Sequence, residues 1–220
     1  FIALKPIPAL FCNLNWVAGT LFPRPNALAI NTQGPSEELT SIFSSISLLR
    51  SSSLANLSTK SDEKGRKTIF ELVPKNPPLN HVGRLDKNTT GAILLTNDGN
   101  LSQFLMHPKN KIEKEYIAIT DKYLSEKNIN RLRKGIFIGS NQKGRAKIAS
   151  QDLNKGRVEV SMILKQGKKN EIRRIFKFLD LNLLSLKRVR IGQIKLSNLA
   201  EGSWRNLSRK ELNFLAKIQS

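Results

Sequence analysis

The chain has 220 residues, with 37 Lys or Arg against 17 Asp or Glu, for a net charge of +20. That length holds one sizeable core, and such a charge excess repels itself in a compact fold unless a polyanion meets it, which points to nucleic acid first and an anionic membrane surface second. No stretch approaches the roughly 18 apolar residues of a membrane-crossing helix, and the single cysteine, Cys12, excludes an intrachain disulfide framework and a cysteine-rich zinc site.

Residues 1–4 predict a strand, ended by Lys5-Pro6. Residues 7–60 differ in character: they hold four prolines and many serines. From 1 to 60 the only charges are Lys5, Arg24, Arg50 and Lys60 against Glu37 and Glu38. Removing these from the totals leaves 33 basic and 15 acidic residues for 61–220, so nearly all the charge excess lies there. Residues 41–57 alternate serine with Ile, Phe and Leu, which reads as one weak helix. The segment 7–60 is expected to be a loosely ordered insertion within a single domain spanning 1–220, because long loops without elements are uncommon in compact domains.

Residues 68–73 predict a short helix or turn, closed by Pro74 and Pro77-Pro78. A helix follows over 100–106, with Leu101, Phe104 and Leu105 on one face, Asp98 or Asn100 as cap, and Pro108 as stop. Residues 114–120 predict a strand with Tyr116, Ala118 and Thr120 on one side. Ser125 caps a helix through Arg133, with Gly135 just past its end. Short strands are expected at 136–138 and 145–149, around an Asn-Gln-Lys-Gly turn. Residues 157–164 alternate as a strand does. The chain turns at 166–169, and Asn170 opens a helix to about Leu179. Strands follow at 183–190 and 193–196. Ser208 and Glu211 form a capping box for a last helix with Leu212, Leu215 and Ile218 inward. Strands outnumber helices and short turns join many of them, giving an α+β chain with a mainly antiparallel sheet.

The chemistry centres on 81–99. Gly83 and Gly91 bracket Asp86, Ala92 to Leu95 form a continuous apolar run that fits a core strand, and Asn97-Asp98-Gly99 ends it. A carboxylate so placed can be a nucleophile, a base, a metal ligand or half of an ion pair. A structural turn with a salt bridge, to Arg84 or to an arginine brought in by the fold, is the commoner role of such a motif taken alone. Asp98, beyond the strand, reads as a helix cap rather than a second catalytic acid. A second cluster is Gly167-Lys168-Lys169-Asn170-Glu171-Ile172-Arg173-Arg174, where apolar Ile172, Ile175 and Phe176 press the helix on the sheet. Tyr116 is one of two tyrosines. Lys187-Arg188-Val189-Arg190 and Trp204-Arg205 are further basic positions. His81 and His107 stand apart from any supporting ligand, so neither a zinc site nor a Ser-His-Asp arrangement is indicated.

Taken together, these blocks resemble the RsuA-type pseudouridine synthases, which modify uridine in ribosomal RNA. Gly83-Arg84-Leu85-Asp86 with Thr89-Thr90-Gly91 and Leu94-Leu95-Thr96-Asn97-Asp98-Gly99 resembles the family signature. In register after it come Leu105-x-His107-Pro108 with Lys114-x-Tyr116, then 167–174, then Arg188-Val189-Arg190-Ile191-Gly192, then Leu199-x-x-Gly202-x-x-Arg205-x-Leu207. The match covers about 62–207. Residues 1–6 look like the family's opening strand, and some fifty residues stand where the family has a short link. The small N-terminal S4-type domain of many members is not found in this chain.

The resemblance implies the pseudouridine synthase fold, a mainly antiparallel sheet flanked by helices with a central cleft. It implies Asp86 as catalytic nucleophile, Arg173 as its ion-pair partner and Tyr116 as the residue that stacks on the flipped base. Arg84, Lys114, Lys168 and Lys169 are expected to contact RNA. So are Arg174, Arg188, Arg190 and Arg205. Neither cofactor nor metal is expected, and the chain is expected to be a monomer with ribosomal RNA as partner and no membrane. A cytoplasmic location is expected, with a eukaryotic organelle as the alternative. The competing reading is a non-catalytic ribosomal RNA-binding or ribosome-assembly protein on the same fold.

Overall fold

The structure is a computed structural model that describes residues 46–51, 68–86 and 88–219, all in the unit from Gly34 to Ser220. The strand expected at 1–4, and most of the segment 7–60, lie outside the described residues. Strand β1 (Ile46–Ser51) opens the described chain. A 3-10 turn (Ile69–Glu71) leads to β2 (Asn80–Val82) and β3 (Thr89–Thr96). Helix α1 (Gly99–Met106), β4 (Lys114–Thr120) and α2 (Glu126–Lys134) follow. The short pair β5 (Ile136–Phe137) and β6 (Lys143–Gly144) precedes the long hairpin of β7 (Lys147–Asn154) and β8 (Arg157–Leu164). Then come α3 (Glu171–Phe178), β9 (Leu183–Ile191), β10 (Ile194–Lys195), β11 (Trp204–Asn206) and α4 (Arg209–Gln219).

The main sheet runs β11-β1-β3-β9-β4-β8-β7, with β10 on β9 and β2 on β3. Every pair is antiparallel except β3 with β9. The fold is therefore α+β, as the alternation of short strands and turns predicts.

Cores lie on both faces of the sheet. On one face Leu48, Ala92 and Leu94 meet Leu101 and Leu105 of α1 and Leu212 and Leu215 of α4. On the other, Leu49, Ile93 and Leu95 meet Ile69, Val73 and Leu79. That two-sided burial is why β3 reads as an unbroken apolar run rather than an alternating one. Further along, Val160, Met162 and Leu164 of β8 pack under Leu132 of α2 and Ile172, Ile175 and Phe176 of α3.

Helix ends match their sequence signals. The Asp98 side chain accepts from Leu101 N at 2.9 Å, which confirms it as a cap. Ser208 and Glu211 form the expected capping box. Two expectations fail. Residues 46–51, read as part of a weak helix in an insertion, are instead a buried strand of the main sheet between β11 and β3. Residues 147–154, expected to give only a short strand to 149, extend into an eight-residue strand paired along β8.

Candidate active site

Asp86 sits in the loop between β2 and β3. Gly83 opens that loop with φ +72°, and Asn88 closes it with φ +65°. The Thr89 N–H donates to the Asp86 carbonyl at 2.9 Å, so the acid lies on a defined turn at the foot of β3. Beyond it, Gly91 (φ +107°) lets β3 approach β9: a Cβ there would stand 2.1 Å from the Arg188 carbonyl oxygen. No side chain fits at that crossing.

Tyr116 stands on β4, paired with Met162 of β8 and Arg188 of β9. It is half-buried and packs against the core under α3. Asp86 and Tyr116 line one small open cleft with Arg84, Thr89, Gln166, Lys168, Glu171 and the apolar Leu164, Ile172 and Leu186. The walls therefore come from the β2–β3 turn, β4, the end of β8, the start of α3 and β9. The slot joins apolar walls to convergent polar groups, a combination typical of ligand sites.

Arg173 comes close without making the expected ion pair. Its Nη2 donates to the Asn88 carbonyl at 2.7 Å and to Thr89 Oγ1 at 3.4 Å, and its Nε is buried without a partner. Among the described residues no ion pair joins it to the Asp86 carboxylate. Arg173 holds the turn that carries Asp86, and its flank borders a second groove with Asp121, Lys122, Lys177 and Asp180.

Several residues expected to contact RNA are engaged in bonds within the protein. Arg188 is 2% exposed and donates from Nε to the Ala92 carbonyl at 2.7 Å, so it is sealed inside the sheet layer. Arg174 donates to the carbonyls of Ile138 and Gly139 and to Gln142, tying α3 to the β5–β6 turn. Arg190 binds Glu115 at 2.7 Å and Glu113 at 3.5 Å. Arg205 forms a two-pronged bridge to Glu211, both contacts at 2.8 Å. Lys114 is half-buried, with Nζ 3.5 Å from the Ile112 carbonyl oxygen. Burial and the nearby Arg188 charge lower its pKa, against an opposing pull from Glu171. Arg174, Arg188 and Arg190 find carboxylates and carbonyls 32 to 96 positions away, which is invisible in a local reading of charge, whereas Glu211 lies six residues from Arg205. Arg84 and Lys169 are exposed, and Arg84 and Lys168 line the cleft.

Glu171 and Gln166 are the site residues to which the sequence assigned no role. Glu171 is 3% exposed. It accepts from Gln166 Nε2 at 2.5 Å, Lys168 N at 3.1 Å and Arg145 N at 3.4 Å. Burial raises its pKa, while the bonds from Lys168, Arg145 and Gln166 oppose that shift. Its acceptors organise the 166–168 turn, one wall of the cleft. The sequence signal was an acid in the first turn of a helix behind Gly and Lys, which also fits an ordinary dipole partner. Among the described residues no group of three or more His, Cys, Asp or Glu could hold a metal. No described helix is long and apolar enough to cross a membrane.

A family model described as RNA pseudouridylate synthase matches residues 32–178. An uncharacterized RNA pseudouridine synthase of Aquifex aeolicus is 35% identical over 156 residues, covering 70% of this chain and 62% of that protein. Ribosomal large subunit pseudouridine synthase B of Vibrio vulnificus is 33% identical over 168 residues, covering 74% and 52%. The protein of the same name from Bacillus subtilis is 32% identical over 165 residues, covering 74% and 68%. The chain thus spans about half to two thirds of the length of these relatives. A crystal structure of a pseudouridylate synthase superposes with a TM-score of 0.68 at 26% identity, covering 78% of this chain and 73% of the other.

Proposed function

The chain belongs to the RNA pseudouridylate synthase family, and on that premise we propose that it isomerises a uridine of ribosomal RNA to pseudouridine with Asp86 as nucleophile. The observation that carries this reading is the shared cleft of Asp86 and Tyr116, an acid and an aromatic 30 positions apart brought to one slot with a basic rim. Ribosomal RNA as substrate rests on the names of the Vibrio and Bacillus relatives and on the +20 charge. The relatives are bacterial, which favours a cytoplasmic setting over an organelle.

The chemistry asks for little beyond these side chains. Asp86 attacks C1′ as the bond from C1′ to uracil N1 breaks, and the base leaves with the electron pair. The base turns within the slot, C5 bonds to C1′ as the C1′–O bond to Asp86 breaks and returns its pair to the carboxylate, N1 gains a proton and C5 loses one. Atoms and charge balance within the nucleotide. Tyr116 stacks its ring on the flipped base, whose unstacking costs a few kcal/mol, and its phenol assists loss of the C5 proton. Leu164, Ile172 and Leu186 keep water from the detached base.

The test is release of tritium from ribosomal RNA labelled at uracil C5. The wild-type chain releases it; Asp86→Asn does not, while binding the same RNA within about twofold, since one neutralised acid adds no phosphate contact. Turnover by Asp86→Asn, or none by the wild type, overturns the reading.

A further inference from the structure

We propose that the Gln166 side-chain carbonyl accepts a hydrogen bond from N3–H of the target uracil and serves as the pivot about which the detached base turns. This rests on the reading of the cleft as a pseudouridine synthase site.

Gln and Asn ends are interchangeable in shape, and only their partners decide which atom is where. Gln166 faces the buried Glu171 carboxylate, which accepts and on which two backbone N–H groups also converge. The NH2 end must therefore point at Glu171. Oε1 is left on the opposite side. Gln166 is half-buried and lines the cleft, and among the described residues no group donates to its Oε1.

Three other side-chain acceptors of the cleft are committed. Asp86 is reserved for the ribose. Glu171 already accepts three donors. Thr89 Oγ1 is 7% exposed as a residue and accepts from Arg173. Gln166 Oε1 is thus a neutral acceptor at a fixed place with nothing assigned to it. Uracil presents a matching donor, N3–H, and cytosine carries a lone pair at the same ring position.

Geometry of the ring supplies the second half. N3 and C6 lie opposite each other in uracil. A half-turn about the line joining them exchanges N1 with C5 and O2 with O4, and leaves N3–H where it was. The isomerisation requires that exchange of N1 for C5 beside C1′. A contact to O2 or O4 must break and be remade with the other oxygen, whereas a contact to N3–H survives the whole turn. One acceptor on that axis therefore retains the base and permits its rotation. Glu171 keeps the acceptor from swinging, because releasing the amide leaves a buried carboxylate short of a donor.

The experiment first maps the uridine that the wild-type protein converts in unmodified ribosomal RNA. A synthetic hairpin containing it is then compared with one carrying 3-methyluridine there. Wild type is expected to convert the methylated hairpin at least about a hundredfold more slowly, as sites built to hydrogen-bond a group reject its absence strongly. In Gln166→Ala the uridine rate falls at least about tenfold, the worth of one buried hydrogen bond, and the penalty for 3-methyluridine shrinks to within about fivefold. Gln166→Leu, which preserves bulk, loses the uridine rate similarly. Melting temperature and RNA affinity identify any misfolded variant. Equal slowing of both hairpins by Gln166→Ala, with the wild-type ratio kept, overturns the pivot and makes Gln166 only a wall. Failure of wild type to convert any uridine overturns the parent reading, and the pivot with it.

Discussion

The Arg173 guanidinium donates to the carbonyl of Asn88 at 2.7 Å, two residues past Asp86. The arginine expected to neutralise the acid instead holds the backbone that aims it. Its second contact, to Thr89 Oγ1, fixes the residue whose N–H closes the Asp86 turn. Arg173→Ala should therefore loosen residues 86–89. A charge-assisted hydrogen bond contributes about 1.5–3 kcal/mol, so the single-turnover rate is expected to fall about ten- to a hundredfold. Exchange of the Thr89 amide hydrogen should quicken in the same variant. Unchanged exchange at Thr89 beside lost activity would refute the hold on the turn and return the weight to direct pairing with Asp86.

Gly83 and Gly91 both lie at positive φ, but only one of them is sterically closed. A Cβ on Gly91 would meet the Arg188 backbone oxygen at 2.1 Å and nitrogen at 2.8 Å. Backbone cannot step aside as a side chain can. Gly83 has open space around its would-be Cβ. Gly91→Ala is expected to cost upwards of about 3 kcal/mol through forced separation of β3 from β9, and Gly83→Ala only about 1–2 kcal/mol of backbone strain. Urea midpoints of the two variants check the order. Equal midpoints would show that the β3–β9 approach is not what Gly91 permits.

What the sequence revealed follows from how local each cause is. Helices α1 and α4 were legible because Asp98 and the Ser208–Glu211 box cap within three residues. Strand β3 was legible because its burial on both faces makes it apolar throughout. Strand β1 was not, because its polar members find partners about 150 positions away. Ser47 Oγ donates to Asn206 Oδ1 at 3.2 Å, and Arg50 donates to the Leu199 carbonyl at 2.8 Å and to Glu201 at 3.0 Å. Within 41–57 those residues look like a solvated face. The same distance effect concealed the work of Arg174, Arg188 and Arg190. Arg205 and Gln166 differ: their carboxylates stand only six and five residues on, and it is the fold between them that turns each pair together.

The burial of Arg188 sets it apart from the exposed basic residues in what salt can reveal. A cation that touches phosphate releases a counterion, and its loss lowers the slope of log K against log salt by about 0.7–0.9. Lys169 is exposed beside the cleft and Arg84 is exposed on its rim. Lys169→Ala and Arg84→Ala should each reduce the slope by roughly that amount. Arg188→Met, at a position 2% exposed, should leave the slope unchanged. Filter-binding titrations on ribosomal RNA at four salt concentrations would separate the three. A reduced slope for Arg188→Met would place its guanidinium in contact with RNA.

Acid should weaken the sheet next to Tyr116. The Arg190 hydrogen bond is the largest influence on Glu115 and lowers its pKa; burial opposes it, and the Ser161 bond and the Arg190 charge add to the lowering. Glu115 and Arg190 face each other across β4 and β9, where the register shifts between Glu115 and Tyr116. A carboxylate whose folded pKa lies below its unfolded value binds fewer protons when folded. Its stabilising contribution is present above the ordinary carboxylate value of 4.5 and is lost as pH falls through the lower folded value. For Glu211 burial is the largest single influence and raises the pKa, but the Arg205 and Ser208 bonds together outweigh it and lower the value, so it carries the same sign. Glu171, raised by burial, carries the opposite one: it is easiest to accommodate below 4.5 and costs stability as pH rises through its folded value. Wild type should therefore lose more melting temperature than Glu115→Gln between pH 6 and about pH 3. The two curves should converge at the acid end. Parallel curves over the whole range would show that the Glu115–Arg190 pair contributes nothing to holding β4 on β9.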